Sequence, residues 1–396
     1  LFAAGLITTA PPPLTLSEAL SQARETSPLR AAAQSLVTSE TDAARLAGRL
    51  PNPVFDVRVE NLGGTPTLLH DVFAVVGQPL ELAGKRSLRK AVASGDREVA
   101  MATLRSTDSN IALETARLYI QALRARGLLD THKTNRDALG ALIETMRRRV
   151  EEGYAAEADL LKFETESARL DIEVVRAELE LNRSLGVLSF VIGTPTPVAA
   201  AQLVEPGPVP PPSVESTALA DGLARHPEAA TAAARANRAA QVAALERARR
   251  IPDPVLSFGY KRTNGVDSAV AGVVMDIPLF DRRGVAAAKA LGEAHAAAAE
   301  RNAIDRRLAS DAATLVLSAQ MLAQRSLRAD ADLLMPANTV RNAARVAFGE
   351  GRGDILKVLD AERVYGDVRR TILELRLDAL AAALDARVAL GQEILP

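Results

Sequence analysis

Set on a wheel at 100° per residue, the stretch from 164 to 188 carries two apolar stripes. Ala168, Ile172, Val175 and Leu179 form one, and Leu170, Val174, Ala177, Leu181 and Leu185 form a second, roughly opposite. Polar faces separate them, one with Arg169, Glu173, Arg176, Glu180 and Arg183, the other with Glu164, Asp171 and Glu178. Apolar flanks with a polar front and back predict a helix with two helical neighbours and water on both remaining sides, as in a single-layer wall closed into a tube. An ordinary long coiled coil, which needs only one seam, is the alternative. No proline occurs from Arg86 to Glu152, which predicts 67 residues of unbroken helix, about 100 Å at 1.5 Å per residue. A counterpart from 284 to 348 contains one proline, Pro336, where a kink is expected.

In two places the period drops from 3.6 to 2. "PNPVFDVRVE" places Phe55, Val57 and Val59 on one face and Asp56, Arg58 and Glu60 on the other; "PDPVLSFGYK" does the same with Leu256, Phe258 and Tyr260 against Ser257 and Lys261. Strands are predicted at 54–60 and 71–79 around "LGGTPT", and at 255–261 and 268–279 around "TNGVD". The prolines end the preceding helices and turn the chain into extended geometry. Such alternation fits transmembrane barrel strands, with Phe55, Val57, Phe258 and Tyr260 facing lipid; soluble hairpins capping helices are the alternative. Four strands cannot close around a pore, because the smallest membrane barrels have about eight. The chain is therefore expected to associate, and three copies would supply twelve strands.

The halves repeat each other. Pro28 and Pro227 lie 199 residues apart, as do "QPLEL" at 78 and "IPLFD" at 277; Pro51 and Pro252 lie 201 apart; Gly153 and Gly351, and likewise Gly193 and Gly391, lie 198 apart. The domain reading is a leader at 1–14, a first repeat at 15–203 with its hairpin at 54–79, a proline-rich linker at 204–214, and a second repeat at 215–396 with its hairpin at 255–279.

Composition narrows the function. The 396 residues are 48% hydrophobic and 24% charged, with a net charge of −1 and basic residues spread evenly, so a large core is available and nucleic acid is not an expected partner. Cysteine is absent, which excludes disulfides, thiolate catalysis and cysteine-held metals, and leaves no cysteine in this sequence to take a lipid. His70, His132, His226 and His295 are mutually remote and read as surface or interhelical residues, not as a metal site. No apolar run reaches 18 residues, so no membrane-spanning helix is expected. "LFAAGLITTA" reads as the tail of a secretory signal peptide, with Thr8 and Ala10 near the cleavage point, or else as a disordered leader. "AGKRS" has Pro79 where a phosphate loop needs glycine, and "GEGRGD" joins two helices instead of following a strand. No nucleophile–base–orienter set is present, so no catalytic residue, cofactor or metal ligand is expected.

With the duplicated order, "GQPLELAGKR", "DIPLFDRRG", "EEGYAAEADLLKFETE" and "GEGRGDILKVLDAER" in place, the chain resembles the TolC family of outer-membrane efflux channels over essentially its whole length, and most of all its heavy-metal efflux (CzcC-like) branch. The resemblance implies a mainly α fold with a small membrane β part: a tandem-duplicated long-helix α-barrel plus four strands per chain completing a twelve-stranded β-barrel in a homotrimer. It implies residence in the outer membrane of a Gram-negative bacterium, in contact with its lipid, with a long periplasmic portion. The duct would serve a tripartite pump with a periplasmic membrane-fusion adaptor and an inner-membrane transporter of the RND type. Glu152, Gly153, Tyr154, Gly349, Glu350, Gly351 and Arg352 would meet the adaptor at the tip turns. Asp360, Lys357 and Asp159 would form the periplasmic gate, Lys357 standing where the family's best-known member is acidic. The other readings are a periplasmic coiled-coil adaptor or scaffold, which would need a compact β-domain that neither half contains, and an enzyme, for which no site is visible.

Overall fold

The computed structural model describes residues 12–62, 70–212 and 222–394. The leader up to residue 11, most of the "LGGTPT" turn and the end of the proline-rich linker lie outside the described residues. The first repeat contributes α1 (Leu16–Thr26), α2 (Pro28–Leu46), β1 (Val54–Glu60), β2 (Asp71–Pro79), α3 (Lys85–Glu151) and α4 (Glu157–Val191). The second contributes α5 (Pro227–Ala248), β3 (Val255–Thr263), β4 (Val266–Val274), α6 (Gly284–Ala329), a π-helical turn (Asp330–Leu334), α7 (Met335–Gly349) and α8 (Ile355–Ala389).

Local chemistry sets these boundaries. Thr15 and Glu18 form a reciprocal capping box at the start of α1. Gly153, Gly193, Gly351 and Gly391 all have positive φ and end α3, α4, α7 and α8. In each case the glycine N–H bonds back three residues and the next N–H five, as in Tyr154 to Arg149 at 2.7 Å and Arg352 to Ala347 at 2.9 Å. The kink expected at Pro336 is resolved as a π turn just before it, in which the Met335 N–H reaches back five residues to Asp330. The wider turn accommodates a residue that cannot donate to the helical ladder.

The four strands form one antiparallel sheet in the order β1-β2-β3-β4, leaving β1 and β4 as edges. Asn264 and Gly265, both with positive φ, make the two-residue turn between β3 and β4. The fourth strand ends five residues earlier than its sequence pattern suggests and begins two residues sooner. Val274 pairs with Val255, the first residue of β3, so among the described residues the chain beyond 274 has no partner strand in this copy. Pro278, lacking an N–H, also cannot donate to a ladder.

The chain divides into two compact units, each built from both repeats. One holds residues up to Arg30, Thr107–His226 and those from Arg307 onward; the other holds Ala31–Ser106 and Pro227–Arg306, including the sheet. The first unit has an apolar core in which Tyr119, Leu123, Leu188, Ile192 and Leu384 are buried. The Tyr119 hydroxyl lies 2.7 Å from both the Leu14 and Val204 carbonyls and accepts the Val204 N–H, fixing the chain before α1 and the start of the linker onto α3.

Within this unit α3 is paired to α4 by Lys133–Glu178 and to α8 by Arg117–Asp385 and Arg124–Asp378, while α8 meets the π turn through Arg376–Asp330. The two stripes of the 164–188 stretch therefore separate. Val174, Leu181 and Leu185 are buried, whereas Ala168, Ile172, Val175 and Leu179 are exposed. Helices α6 and α7 likewise expose Leu317, Met321, Met335 and Val346.

Candidate functional site

Directly opposed residues of neighbouring strands share a face of the sheet. On one face Phe55, Val57 and Val59 of β1 oppose Val76, Ala74 and Val72 of β2. Val76 and Ala74 in turn oppose Phe258 and Tyr260 of β3, which oppose Ala271 and Ala269 of β4, with Leu256 beside Val273. The apolar alternation read from two strands thus runs across all four, and Phe55 and Phe258 are 68% and 66% exposed. A continuous uncovered apolar surface of this kind is a membrane or protein interface. Polar groups gather at its end near the β3–β4 turn, where Tyr260 hydrogen-bonds to Asp267 and Arg262 stands 3.6 Å from the same carboxylate.

The opposite face is mixed. Arg58 lies 3.3 Å from Asp56 and 3.7 Å from Glu60, and Lys261 sits over the Phe73 ring at 4.9 Å. Gly259, at the centre of β3, has no room for a side chain, since a Cβ there would stand 2.2 Å from the Ala74 carbonyl oxygen.

The second site is the pair of turns closing the α3–α4 and α7–α8 hairpins. Glu152, Gly153 and Tyr154 follow α3; Gly349, Glu350, Gly351 and Arg352 close α7; Tyr154 is 81% exposed. The structure brings the two turns together. Arg149 donates to the Gly349 carbonyl at 2.8 Å and lies over the Phe348 ring, which meets Phe163 edge-on above Leu139, Val358 and Leu359. Glu350 pairs with Arg352 at 3.0 Å.

Beyond the turns, Asp159 in α4 pairs with Lys162 at 2.9 Å. Lys357 and Asp360 in α8 are both exposed, and no ion pair joins them, contrary to the mutual neutralisation that their spacing of three suggests. Asp360 instead lines a groove with Lys162, Leu161, Leu356 and Arg363. Aligning Gly153 with Gly351 sets Asp159 against Lys357 and Lys162 against Asp360, so the two aspartates do not hold equivalent positions.

Sequence reasoning missed a charge cluster one turn further on. Glu166 is buried and accepts from Arg363 at 3.0 and 2.5 Å and from Arg169 at 2.8 Å, so that α8 of the second repeat is clamped to α4 of the first. The hydrogen bonds from Arg363, aided by Arg169 and opposed by burial, pull the Glu166 carboxyl from 4.5 down to about 2. Its folded pKa is depressed, so its contribution is complete above pH 4.5 and is lost as pH falls towards 2. That contribution is about 2–3 kcal/mol, with both arginines half exposed to screening solvent. Glu166→Gln is expected to lower the thermal midpoint at pH 7, and the difference from the parent should close by pH 2 in melts across that range. A constant difference at all pH values would exclude the ion cluster as its source. Only the spacing of Glu166 and Arg169 hinted at this cluster; its partner on α8 is 197 residues away.

The cluster borders a cavity of about 300 Å³ lined also by His132, Asn135, Glu173 and Arg370, where burial keeps His132 below its ordinary pKa. Among the described residues no group of three or more His, Cys, Asp or Glu side chains is placed to hold a metal ion, and no helix is long and apolar enough to cross a membrane.

Comparison with known proteins agrees with this arrangement. Residues 218–392 match the model of the family described as outer membrane efflux protein. The cobalt-zinc-cadmium resistance protein CzcC of Cupriavidus metallidurans is 30% identical over 363 residues, covering 90% of this chain and 85% of its own. Among solved structures, the outer membrane protein VceC of Vibrio cholerae superposes with a TM-score of 0.79 at 18% identity over 96% of each chain. CusC does so with a TM-score of 0.78 at 16% identity, over 96% of this chain and 92% of that one. The apolar sheet face, the duplicated long helices and the match to a resistance protein over 90% of the chain agree: the chain belongs to the outer membrane efflux protein family and is an outer-membrane efflux channel.

Proposed function

We propose that three copies of this chain form the exit duct of a tripartite pump that expels heavy-metal cations. The observation that carries the trimer is the sheet: four strands, free edges at β1 and β4, and an apolar face exposed across its full width. Joining β4 of each copy to β1 of the next gives a closed barrel of twelve strands, which removes both edges. The helices support the same closure. α4 and the α6–α7 pair each keep an apolar seam uncovered, and a head-to-tail contact between such unlike surfaces closes into a ring.

The barrel stands in outer-membrane lipid through Phe55, Val57, Phe258 and Tyr260. The tip turns, through Glu152, Gly153, Tyr154, Gly349, Glu350, Gly351 and Arg352, meet a periplasmic membrane-fusion adaptor coupled to an inner-membrane transporter of the RND type. Asp159, Lys357 and Asp360 belong to the gate at that tip. The two repeats, 15–203 and 215–396, act as equivalent wall segments joined by the linker. Metal as cargo rests on the resistance to cobalt, zinc and cadmium named for CzcC. A duct needs no tight ligand set and no catalytic group, because selection lies in the pump.

The test is a mass determination in detergent together with export measured in cells that carry the cognate adaptor and transporter. A particle of three chains, and loss of resistance to zinc, cobalt or cadmium when this chain is removed, are expected. A stable detergent-free monomer would exclude the duct, and lost resistance to organic drugs with unchanged metal resistance would exclude the cargo.

A further inference from the structure

The apolar face of the sheet does not stop where its ladders do. Val72, Ala74 and Val76 of β2 and Ala269, Ala271 and Val273 of β4 lie on it, and the same step of two continues to Leu80 and Leu82 after β2 and to Met275, Ile277 and Leu279 after β4. All five are exposed, Ile277 by 74%, and Phe280 next to them is 99% exposed. This is the helical end of the sheet, where the chain arrives from α2 and α5 and leaves for α3 and α6. The same end is basic. Each repeat places an exposed arginine and an exposed apolar residue just before the strand-opening prolines, Arg49 and Leu50 in "RLPNP" and Arg250 and Ile251 in "RIPDP", while exposed Arg282 and Arg283 follow Phe280. The acids nearby are mostly engaged by other bases: Asp253 holds Lys85, Glu81 holds Arg89 and Glu246 holds Arg249. Asp276 and Asp281 are left, and among the described residues neither forms an ion pair with the four arginines. At the far end of the sheet the balance is reversed, with Glu60, Asp71 and Asp267 against Lys261 and Arg262.

We propose that this end of the sheet is a collar for anionic phospholipids of the membrane leaflet that faces the periplasm. Ile277, Leu279 and Phe280 sit among the upper acyl chains, and Arg49, Arg250, Arg282 and Arg283 hold the phosphates. The inference rests on the lipid-facing sheet of the proposed duct and names the lipid that its helical end selects. Apolar side chains beside unpaired cations are the composition of a membrane-surface anchor. Arginine suits the place, because its stem lies along hydrocarbon while its planar fork takes two oxygens of one phosphate. A strand of a neighbouring copy is a poorer occupant. Continuing β4 past Val274 onto the residues before β1 would set Pro278 against a segment containing Pro51 and Pro53, none of which has an N–H to give a ladder. That segment, "RLPNP", also brings a further arginine and no acid. The attraction to phosphate is electrostatic and weakens with salt, whose screening length shortens from about 10 Å at 0.1 M to about 3 Å at 1 M.

The test is thermal dissociation of the purified trimer in a neutral detergent, with phosphatidylglycerol or zwitterionic phosphatidylcholine added in equal amount. In 0.1 M salt phosphatidylglycerol should raise the midpoint by several degrees more than phosphatidylcholine does, and in 1 M salt this excess should shrink. Replacing all four arginines, as Arg49→Gln, Arg250→Gln, Arg282→Gln and Arg283→Gln, should abolish the excess and leave the midpoint in phosphatidylcholine unchanged; Arg282→Gln with Arg283→Gln alone should remove part of it. Phe280→Ser should assemble and lower the response to both lipids. Equal responses of the parent to the two lipids, or a fourfold variant that keeps the parent's excess, overturn the collar while leaving the duct standing. The same shift from glycerol phosphate at equal concentration would assign the arginines to free phosphate and overturn the lipid. A Phe280→Ser chain that forms no trimer in either lipid would put a neighbouring copy over this residue, with the same consequence. A parent that forms no trimer at all overturns the duct and the collar with it.

Discussion

Arginine at Phe55, Val57 or Phe258 is expected to abolish recovery of the trimer from the outer membrane, whereas Asp56→Ala and Arg58→Ala should leave most of it intact. The three apolar residues share one sheet face with Val72, Ala74, Val76 and Ala271, and nothing among the described residues covers them. An arginine at mid-bilayer depth on a lipid-facing strand costs about 2–4 kcal/mol, and threefold repetition applies that cost three times in each assembled barrel. Asp56 and Arg58 lie on the other face, where among the described residues Arg58 pairs with Asp56 and with Glu60. Such an exposed pair is worth about 1 kcal/mol at most. Tyr260→Arg should be milder than Phe258→Arg, because Tyr260 already shares its end of the sheet with Arg262 and Asp267, where a long cation can reach water. Heat-modifiable trimer on gels of the outer-membrane fraction is the measurement. Normal trimer yield from the Phe258 and Val57 variants would mean that the lipid-facing side has been wrongly chosen.

The elements that could be read directly from the sequence are those whose cause is local. Three strands and the 67-residue helix fall within two residues of their expected bounds, because "PNP", "PDP", the alternation at Phe55 and Phe258 and the positive-φ glycines each act over a few residues. The end of β4 was not readable, since the pattern to residue 279 describes a strand able to pair, while pairing itself depends on a neighbour that one copy lacks past Val274. Two seams on α4 were visible as periodicity, but which of them is covered within one chain depends on where α3 packs. The Glu166 cluster depends on a partner in the other repeat, and the absence of a Lys357–Asp360 bond on side-chain directions that spacing alone does not fix. Superposing the repeats at Gly153 and Gly351 does set Lys162 against Asp360 and Asp159 against Lys357, from sequence alone.

A single methyl group at Gly259 is expected to be as damaging as a charge on the lipid face. The β2–β3 ladder is the only place in the sheet where the two repeats meet, and Gly259 sits at its centre opposite Val75. A Cβ there would lie 2.2 Å from the Ala74 carbonyl oxygen and 2.6 Å from the Val75 Cα, both backbone atoms that cannot rotate away. Relief requires the two strands to separate, which stretches ladder bonds on both sides of β3 and shifts the face that carries Ala74 and Tyr260. Overpacking of this kind costs about 1–3 kcal/mol in a core that can adjust; a ladder that must open belongs at or above the upper end of that range. Gly272 on β4 provides the control. A Cβ there meets only the Ser257 hydroxyl at 3.0 Å, which can turn aside, so Gly272→Ala should melt close to the parent. Thermal dissociation of purified trimers in detergent distinguishes the two. Equal midpoints for Gly259→Ala, Gly272→Ala and the parent would show that the repeats do not approach as closely at this junction as the Gly259 contact requires.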